Sequence, residues 1–220
     1  MSKQINIVLD IDNTLLETIP NTVFNTIPIN YLSYFDVIDL PEINAKAVLR
    51  PDLDAFLDYV FERFTVSIFT AAQRDYSKVI RDRIIAPPGS GRVIFKALDS
   101  RHNEYSITKW NQVKSINTFK EFGIPNINEN NTIFIDDLEE VEAANPNNVI
   151  KISPFKILTK RGKCNPKMAF ENGLARVTQE INARVEVYNM IGRVYYNAIP
   201  SCDNFTALDI PMSESSIFTM

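Results

Sequence analysis

A chain of 220 residues, 45% of them hydrophobic, can bury one large domain or one domain plus an appendage. Its net charge of −4 argues against a binder held to nucleic acid by a general basic surface, so no nucleic-acid partner is expected. Two widely separated cysteines, Cys164 and Cys202, give neither a disulfide framework nor a paired metal spacing. With no signal segment and no apolar run near the ~20 residues that span a bilayer, a cytoplasmic protein is expected.

In chain order, residues 5–9 form a short apolar strand that ends in Asp10-Ile11-Asp12-Asn13-Thr14-Leu15. Side chains on a strand alternate, so Asp10 and Asp12 share a face if the strand geometry continues. Two crowded carboxylates do not both ionise cheaply unless a cation sits between them or one holds a proton. Such a pair can divide a phosphoryl-transfer reaction, one carboxylate attacking phosphorus and the other handling the proton. Residues 17–46 show no clear period and read as loops and short elements over a sheet edge. Leu53, Phe56, Leu57, Val60 and Phe61 follow helical spacing, with Pro51 placed in the first turn.

A second apolar strand, 64–69, ends in Thr70-Ala71-Ala72, and a helix starting near Arg74 follows. Pro87-Pro88-Gly89-Ser90-Gly91 is a break; without a third glycine or a lysine it is a turn rather than a phosphate loop. Residues 92–108 read as a small insertion of short strands, with Val93, Ile94 and Phe95 in one of them and His102 as a solvated loop histidine. A helix over 110–122 carries Val113, Ile116 and Phe119 and places Lys114 near its start. A third strand, 131–135, ends in Asp136-Asp137, and 149–152 is a last short strand. The basic stretch 156–167 reads as a solvated connector, the alternative being contact with an acidic partner or a membrane surface. Residues 168–193 form one long helix with Leu174, Val177, Ile181, Val185 and Tyr188 on one stripe. Residues 199–220 form an irregular tail.

Apolar runs of this kind suit parallel strands covered on both faces by helices. In such a sheet ligands bind beyond the carboxyl ends of the strands, where Asp10, Thr70 and Asp136 would converge. The chemistry of the cysteine phosphatases is excluded, because Phe170 and Leu208 stand six positions after Cys164 and Cys202 where an arginine is required. A serine–histidine–acid triad has no support either.

The Asp-x-Asp-x-Thr-Leu run at Asp10 resembles the first motif of the haloacid-dehalogenase superfamily. The segment Leu49-Arg50-Pro51, the Phe56-Leu57 helix, Phe69-Thr70-Ala71-Ala72 and Tyr76, six past the threonine, sharpen this. Together they resemble the RNA polymerase II C-terminal-domain, or NLI-interacting-factor-like, phosphatases over about residues 5–155. Two departures stand out. Leu138-Glu139-Glu140 replaces a small Ser-Pro turn, and Val113-Lys114-Ser115-Ile116 lacks the usual aspartate after its lysine, with Lys109 the competing choice.

The resemblance implies an α/β fold, a parallel sheet flanked by helices in a haloacid-dehalogenase-like core at 1–155. The basic connector and long helix at 156–198 would pack on the core or on a partner, and the tail occupies 199–220. It implies a magnesium-dependent phosphoprotein phosphatase with an aspartyl-phosphate intermediate. Asp10 would be the nucleophile, Asp12 the general acid and then base, Thr70 a phosphoryl donor and Lys114 the neutralising cation. Asp10, Asp12, Asp136 and Asp137 would hold Mg2+, an all-oxygen set that suits this ion over zinc. The spacing leaves no room for a large cap, which favours a phosphorylated protein substrate carrying phosphoserine, phosphothreonine or phosphotyrosine. A phosphatase of nucleotides or other small esters, and an inactive phosphopeptide-binding module, are the alternatives.

Overall fold

The computed structural model describes residues 4–195. The chain enters the core as β1 (Asn6–Leu9) and turns back as β2 (Leu16–Pro20). Two single-turn helices, α1 (Asn21–Phe24) and α2 (Ile29–Leu32), lead to β3 (Val37–Leu40) and β4 (Ala45–Leu49). Then come α3 (Leu53–Arg63), β5 (Thr65–Phe69) and α4 (Arg74–Ile80), which continues into a π-helical turn at Arg81–Ile85. β6 (Lys96–Leu98), α5 (Ser100–Trp110), α6 (Asn117–Glu121), β7 (Thr132–Asp136), α7 (Glu139–Ala144), β8 (Val149–Lys151) and α8 (Gly173–Ile191) follow.

The main sheet has the order β6-β5-β1-β7-β8, and every pairing in it is parallel. β1 is central and buried along its whole length. Its side chains alternate between two apolar layers. Ile7 and Leu9 join Val66, Ile68, Ile133 and Ile135 under α3 and α8; Val8 joins Phe69 and Phe134 under Phe119 of α6 and Val141 of α7. Helices thus cover both faces, which is why these strands are continuously apolar in sequence.

Register sets the active end. Leu9 stands opposite both Ile68 and Ile135, so the next residue, Asp10, lies level with the ends of β5 and β7. The Asp10 amide donates to the Ile135 carbonyl at 3.0 Å and extends the ladder by one rung. The carboxyl ends of the three middle strands therefore open on one crevice, the place where open α/β sheets hold ligands.

Four local readings are corrected by the structure. Residues 17–46 do hold short elements, but they are not laid over an edge of the main sheet: β2 and β3 pair with β4 in a separate antiparallel sheet of order β2-β4-β3, with α1 and α2 between β2 and β3. Residues 92–95 form no strand; Val93 is 78% exposed, and β6 at 96–98 belongs to the main sheet. The helix expected over 110–122 is broken into α5 and α6, because Asn111 and Lys114 both take the left-handed conformation (φ 54° and 49°). Finally, α3 starts at Leu53 after a left-handed Asp52 (φ 63°), which leaves Pro51 outside its first turn.

The five basic side chains between 156 and 167 are exposed, while Ile157 is buried and Leu158 bridges Cys164. The hydroxyl of Tyr31 donates to the carbonyls of Ile157 (3.0 Å) and Asn165 (2.7 Å), and the Ile157 amide donates to Glu17 at 2.6 Å. This segment is therefore pinned to the antiparallel sheet. α8 follows a 3-10 turn at Pro166–Phe170 and is shorter than the helix expected over 168–193. Leu174, Val177 and Ile181 enter the same apolar layer as Ile7 and Leu9, with Val185 and Tyr188 partly buried against it. The tail expected at 199–220 lies outside the described residues.

Candidate active site

Asp10 sits at the end of β1 and is 5% exposed. The chain then turns sharply. The Leu15 amide donates to the Ile11 carbonyl at 2.9 Å, and Asn13 takes φ 61°, a conformation asparagine tolerates better than most residues. The turn brings Thr14 back over the sheet, where its hydroxyl donates to Asp137 at 3.2 Å. Arg50, 1% exposed, braces the turn from below: its Nη2 donates to the carbonyls of Asn13 (3.4 Å) and Ser153, and its Nε lies 3.7 Å from Glu171. Burial lowers the Arg50 pKa to about 10, against the pull of Glu171 and Asp137.

Thr70 is buried at the end of β5. Its amide donates to the Leu98 carbonyl at 3.1 Å, and its Oγ accepts from the Ala72 amide at 3.0 Å. With that lone pair occupied by the turn, the hydroxyl proton remains to donate.

Lys114 lies in the α5–α6 loop, 1% exposed, rather than on a helix. Its Nζ contacts Asp10 Oδ1 at 2.5 Å and Asp136 Oδ2 at 2.7 Å. Two asparagine side chains hold the strained loop. Asn103 Oδ1 accepts from the Lys114 amide at 2.9 Å, and Asn145 both donates to the Lys114 carbonyl (3.1 Å) and accepts from the Ile116 amide (2.8 Å). The competing Lys109 is far from this chemistry, paired with Glu121 at 2.5 Å on the surface.

Asp136 ends β7 and accepts from the Leu138 amide at 3.0 Å. Burial, with the charge of Asp10 added, pushes its pKa up to about 7. Asp137 is raised by burial first and then by Asp10. Burial alone would lower the Lys114 pKa, but Asp10 and Asp136 more than offset it and hold the ammonium above its ordinary range. Ligand atoms of Asp10, Asp136 and Asp137 all lie within 4.8 Å of one another. Asp12, expected among the ligands, falls outside that group; its carboxylate accepts a hydrogen bond from Tyr76. Its pKa is pushed up to about 6 by burial, with the Tyr76 hydrogen bond opposing and Asp10 adding to the rise.

Four carboxylates thus face one buried ammonium, a deficit of positive charge that a divalent cation would fill. The oxygen-only set of Asp10, Asp136 and Asp137 fits Mg2+. Residues that the sequence did not single out for the site are Asn103 and Asn145, whose amides carry no motif, and Glu171, which meets Arg50 from the C-terminal segment. Tyr76 and Arg50 were visible only as parts of family motifs. His102 is not a loop residue: it lies in the first turn of α5, where Nδ1 accepts from the Asp99 amide at 3.2 Å.

A parallel sheet with carboxylates at the ends of β1 and β7, a threonine at the end of β5 and a lysine reaching in from a neighbouring loop defines the haloacid-dehalogenase-like class. The family model of NLI interacting factor-like phosphatases matches residues 5–183, and the chain belongs to that family. The match continues into α8, well past residue 155, where the recognisable motifs stop. The CTD phosphatase-like protein 355R of Invertebrate iridescent virus 6 is 30% identical over 168 residues, covering 68% of this chain and 85% of the relative. Its counterpart in Invertebrate iridescent virus 3 is 30% identical over 166 residues, covering 68% and 83%. Among solved structures, the RNA polymerase II CTD phosphatase Fcp1 aligns with TM-score 0.50 at 20% identity, covering 84% of this chain. A fission yeast Fcp1 variant bound to beryllium fluoride aligns with TM-score 0.53 at 20% identity, covering 90%. These two show the shared fold, and the chain spans 54% and 59% of their lengths.

Proposed function

We propose that this chain is a magnesium-dependent phosphoprotein phosphatase that works through an aspartyl-phosphate. The observation that carries the reading is Lys114 Nζ held between Asp10 and Asp136, beside a third carboxylate, Asp12, with a raised proton affinity. A carboxylate fixed at 2.5 Å from a buried ammonium is held in place and aimed, as a nucleophile must be. An acid that holds its proton near pH 6 can protonate a leaving alkoxide.

Asp10 attacks phosphorus, and the bond to the leaving oxygen breaks as Asp12 delivers its proton. Thr70 and Lys114 stabilise charge on the phosphoryl oxygens. Asp12, now a carboxylate, takes a proton from the water that opens the acyl-phosphate, releasing inorganic phosphate and restoring Asp10. Asp10, Asp136 and Asp137 would hold Mg2+, which would add positive charge where the phosphoryl group binds.

A protein substrate fits the access. The interval from Thr70 to Lys114 is occupied by α4, β6 and α5, which pack within the main fold, and among the described residues it forms no separate lid. Phosphoserine and phosphothreonine are the side chains that family membership favours. The test is hydrolysis of a generic aryl phosphate with and without Mg2+, followed by phosphoserine, phosphothreonine and phosphotyrosine peptides against nucleotides. Magnesium-dependent turnover with peptides preferred is expected. Preference for nucleotides would overturn the substrate class, and no turnover of any ester would leave only phosphopeptide binding.

A further inference from the structure

Beside the Thr70 turn lies a pocket of about 320 Å³ that the chemistry above does not use. α4 lines it with Arg74, Lys78 and Arg81, β6 with Lys96, and the first turn of α5 with Arg101 and His102. The one acid in its wall, Asp99, is already engaged: it accepts from the Arg101 guanidinium at 2.6 Å and caps α5 through the Arg101 amide at 3.1 Å. Arg81 reaches only its neighbour Asp82, at 3.4 Å. Arg74, Lys78 and Lys96 have no ion-pair partner among the described residues. Five lysine and arginine cations against one acid is a local reversal in a chain whose net charge is −4. A cluster of one sign of charge lining a concave surface attracts an anion.

The pocket's lining residues adjoin, in sequence, the residues that fix the Thr70 turn. The Ser100 amide donates to the Ala72 carbonyl at 2.9 Å, and the Leu98 carbonyl accepts from the Thr70 amide at 3.1 Å. Arg74 follows Thr70 by four residues, so its backbone lies at most about 14 Å away. An extended peptide advances about 3.3 Å per residue. A group bound at the Arg74 end of this pocket would therefore sit about five residues along an extended peptide from a side chain presented at Thr70.

We propose that this pocket is a subsite for a second phosphate on the same substrate segment, so that the preferred substrate is a multiply phosphorylated peptide. This rests on the phosphatase reading above. Phosphate is favoured over a glutamate carboxylate because it brings a charge near −2 and three acceptor oxygens, which several guanidinium and ammonium groups can share.

The test compares wild-type enzyme with a Lys78→Ala, Lys96→Ala double variant, both residues being exposed and outside the candidate catalytic set. Substrates are an aryl phosphate, singly phosphorylated peptides, peptides with a second phosphate two to five residues away, and the same peptides with glutamate in that place. The second phosphate should raise kcat/KM about ten-fold through KM, equivalent to ~1.4 kcal/mol, with glutamate giving less. The double variant should lose that gain and keep its aryl phosphate rate. Fluorescence anisotropy of the same peptides reads the pocket independently of turnover, so a failure of the phosphatase reading would show separately as absent aryl phosphate hydrolysis. No preference for the second phosphate, or a preference that survives the double variant, would overturn the proposal. So would inhibition by a single-stranded RNA that depends on Lys78 and Lys96 with no gain from a second phosphate, which would make the pocket a nucleic-acid site.

Discussion

The Tyr76 hydroxyl donates a hydrogen bond to Asp12 and meets the Thr18 hydroxyl at 2.7 Å, so one side chain ties the candidate general acid to both α4 and the antiparallel sheet. The bond stabilises the Asp12 carboxylate and restrains the rise that burial causes. Removing it with Tyr76→Phe should raise the Asp12 pKa further. The acid would then stay protonated to higher pH, and the alkaline limb of kcat/KM for an aryl phosphate should move up by about one pH unit. A pH–rate profile of the two proteins checks this. An unmoved or downward-moved limb would separate Asp12 from the proton transfer.

Asp10→Asn should abolish turnover, because an amide cannot form the acyl-phosphate. Beryllium fluoride, which mimics a phosphorylated aspartate, should inhibit the wild type and, in a direct binding measurement, should not bind the variant. Asp12→Asn should lose ~10²–10⁴-fold in rate while still binding a phosphopeptide. Steady-state rates and peptide binding on both variants distinguish nucleophile from acid; substantial activity in Asp10→Asn would sink the assignment.

Lys114→Met should eliminate activity and also weaken the fold. The ammonium neutralises two buried carboxylates, and stripping one partner from a buried charge cluster typically costs ~3–5 kcal/mol. Urea unfolding at neutral pH without divalent cation should show the loss, and lower pH should partly restore stability, because Asp136 takes up a proton readily. Lys109→Met, at an exposed surface pair, should change neither activity nor stability measurably.

How far these features could be read in advance follows from how each is held. β1, β5 and β7 were legible because strands buried on both faces are continuously apolar, and their acids and threonine stand directly after them. The antiparallel sheet was not. Glu17, Thr18, Asp39 and Lys46 break the apolar runs of β2, β3 and β4, and only tertiary pairing makes these strands. Lys114 is marked by its flanking Val113 and Ile116, but that apolar spacing suggests a helix and equally serves a loop whose backbone is clamped by Asn103 and Asn145. Those asparagines lie 11 and 31 residues from Lys114, beyond any local pattern.

Chelation should remove activity, and Mg2+ should restore it. An independent readout is thermal: a cation that binds only the folded chain stabilises it by ~2.7 kcal/mol at a hundred times its Kd. Melting temperature should therefore rise with Mg2+ in the wild type and not in an Asp136→Asn, Asp137→Asn double variant. Full activity after exhaustive chelation would contradict the ligand set.

The C-terminal segment is expected to belong to the folding unit. Leu174, Val177 and Ile181 are each at most 1% exposed and share a layer with Ile7 and Leu9 of the central strand. Full burial of such side chains contributes roughly 1.5–3 kcal/mol each, a large share of the ~5–15 kcal/mol that holds a domain together. Glu171 adds the only carboxylate within 4 Å of the buried Arg50 guanidinium among the described residues, and Arg50 in turn holds the carbonyl of Asn13 in the Asp10–Asp12 turn. A chain truncated after residue 155 should therefore aggregate or melt many degrees lower, whereas one truncated after residue 197 should keep its fold and activity. Ile181→Ala in the full chain should cost ~2–5 kcal/mol by chemical denaturation with kcat little changed. If the chain ending at 155 is soluble, monomeric and equally stable, α8 is an appendage rather than part of the core, and its conspicuous apolar stripe would have to serve a partner.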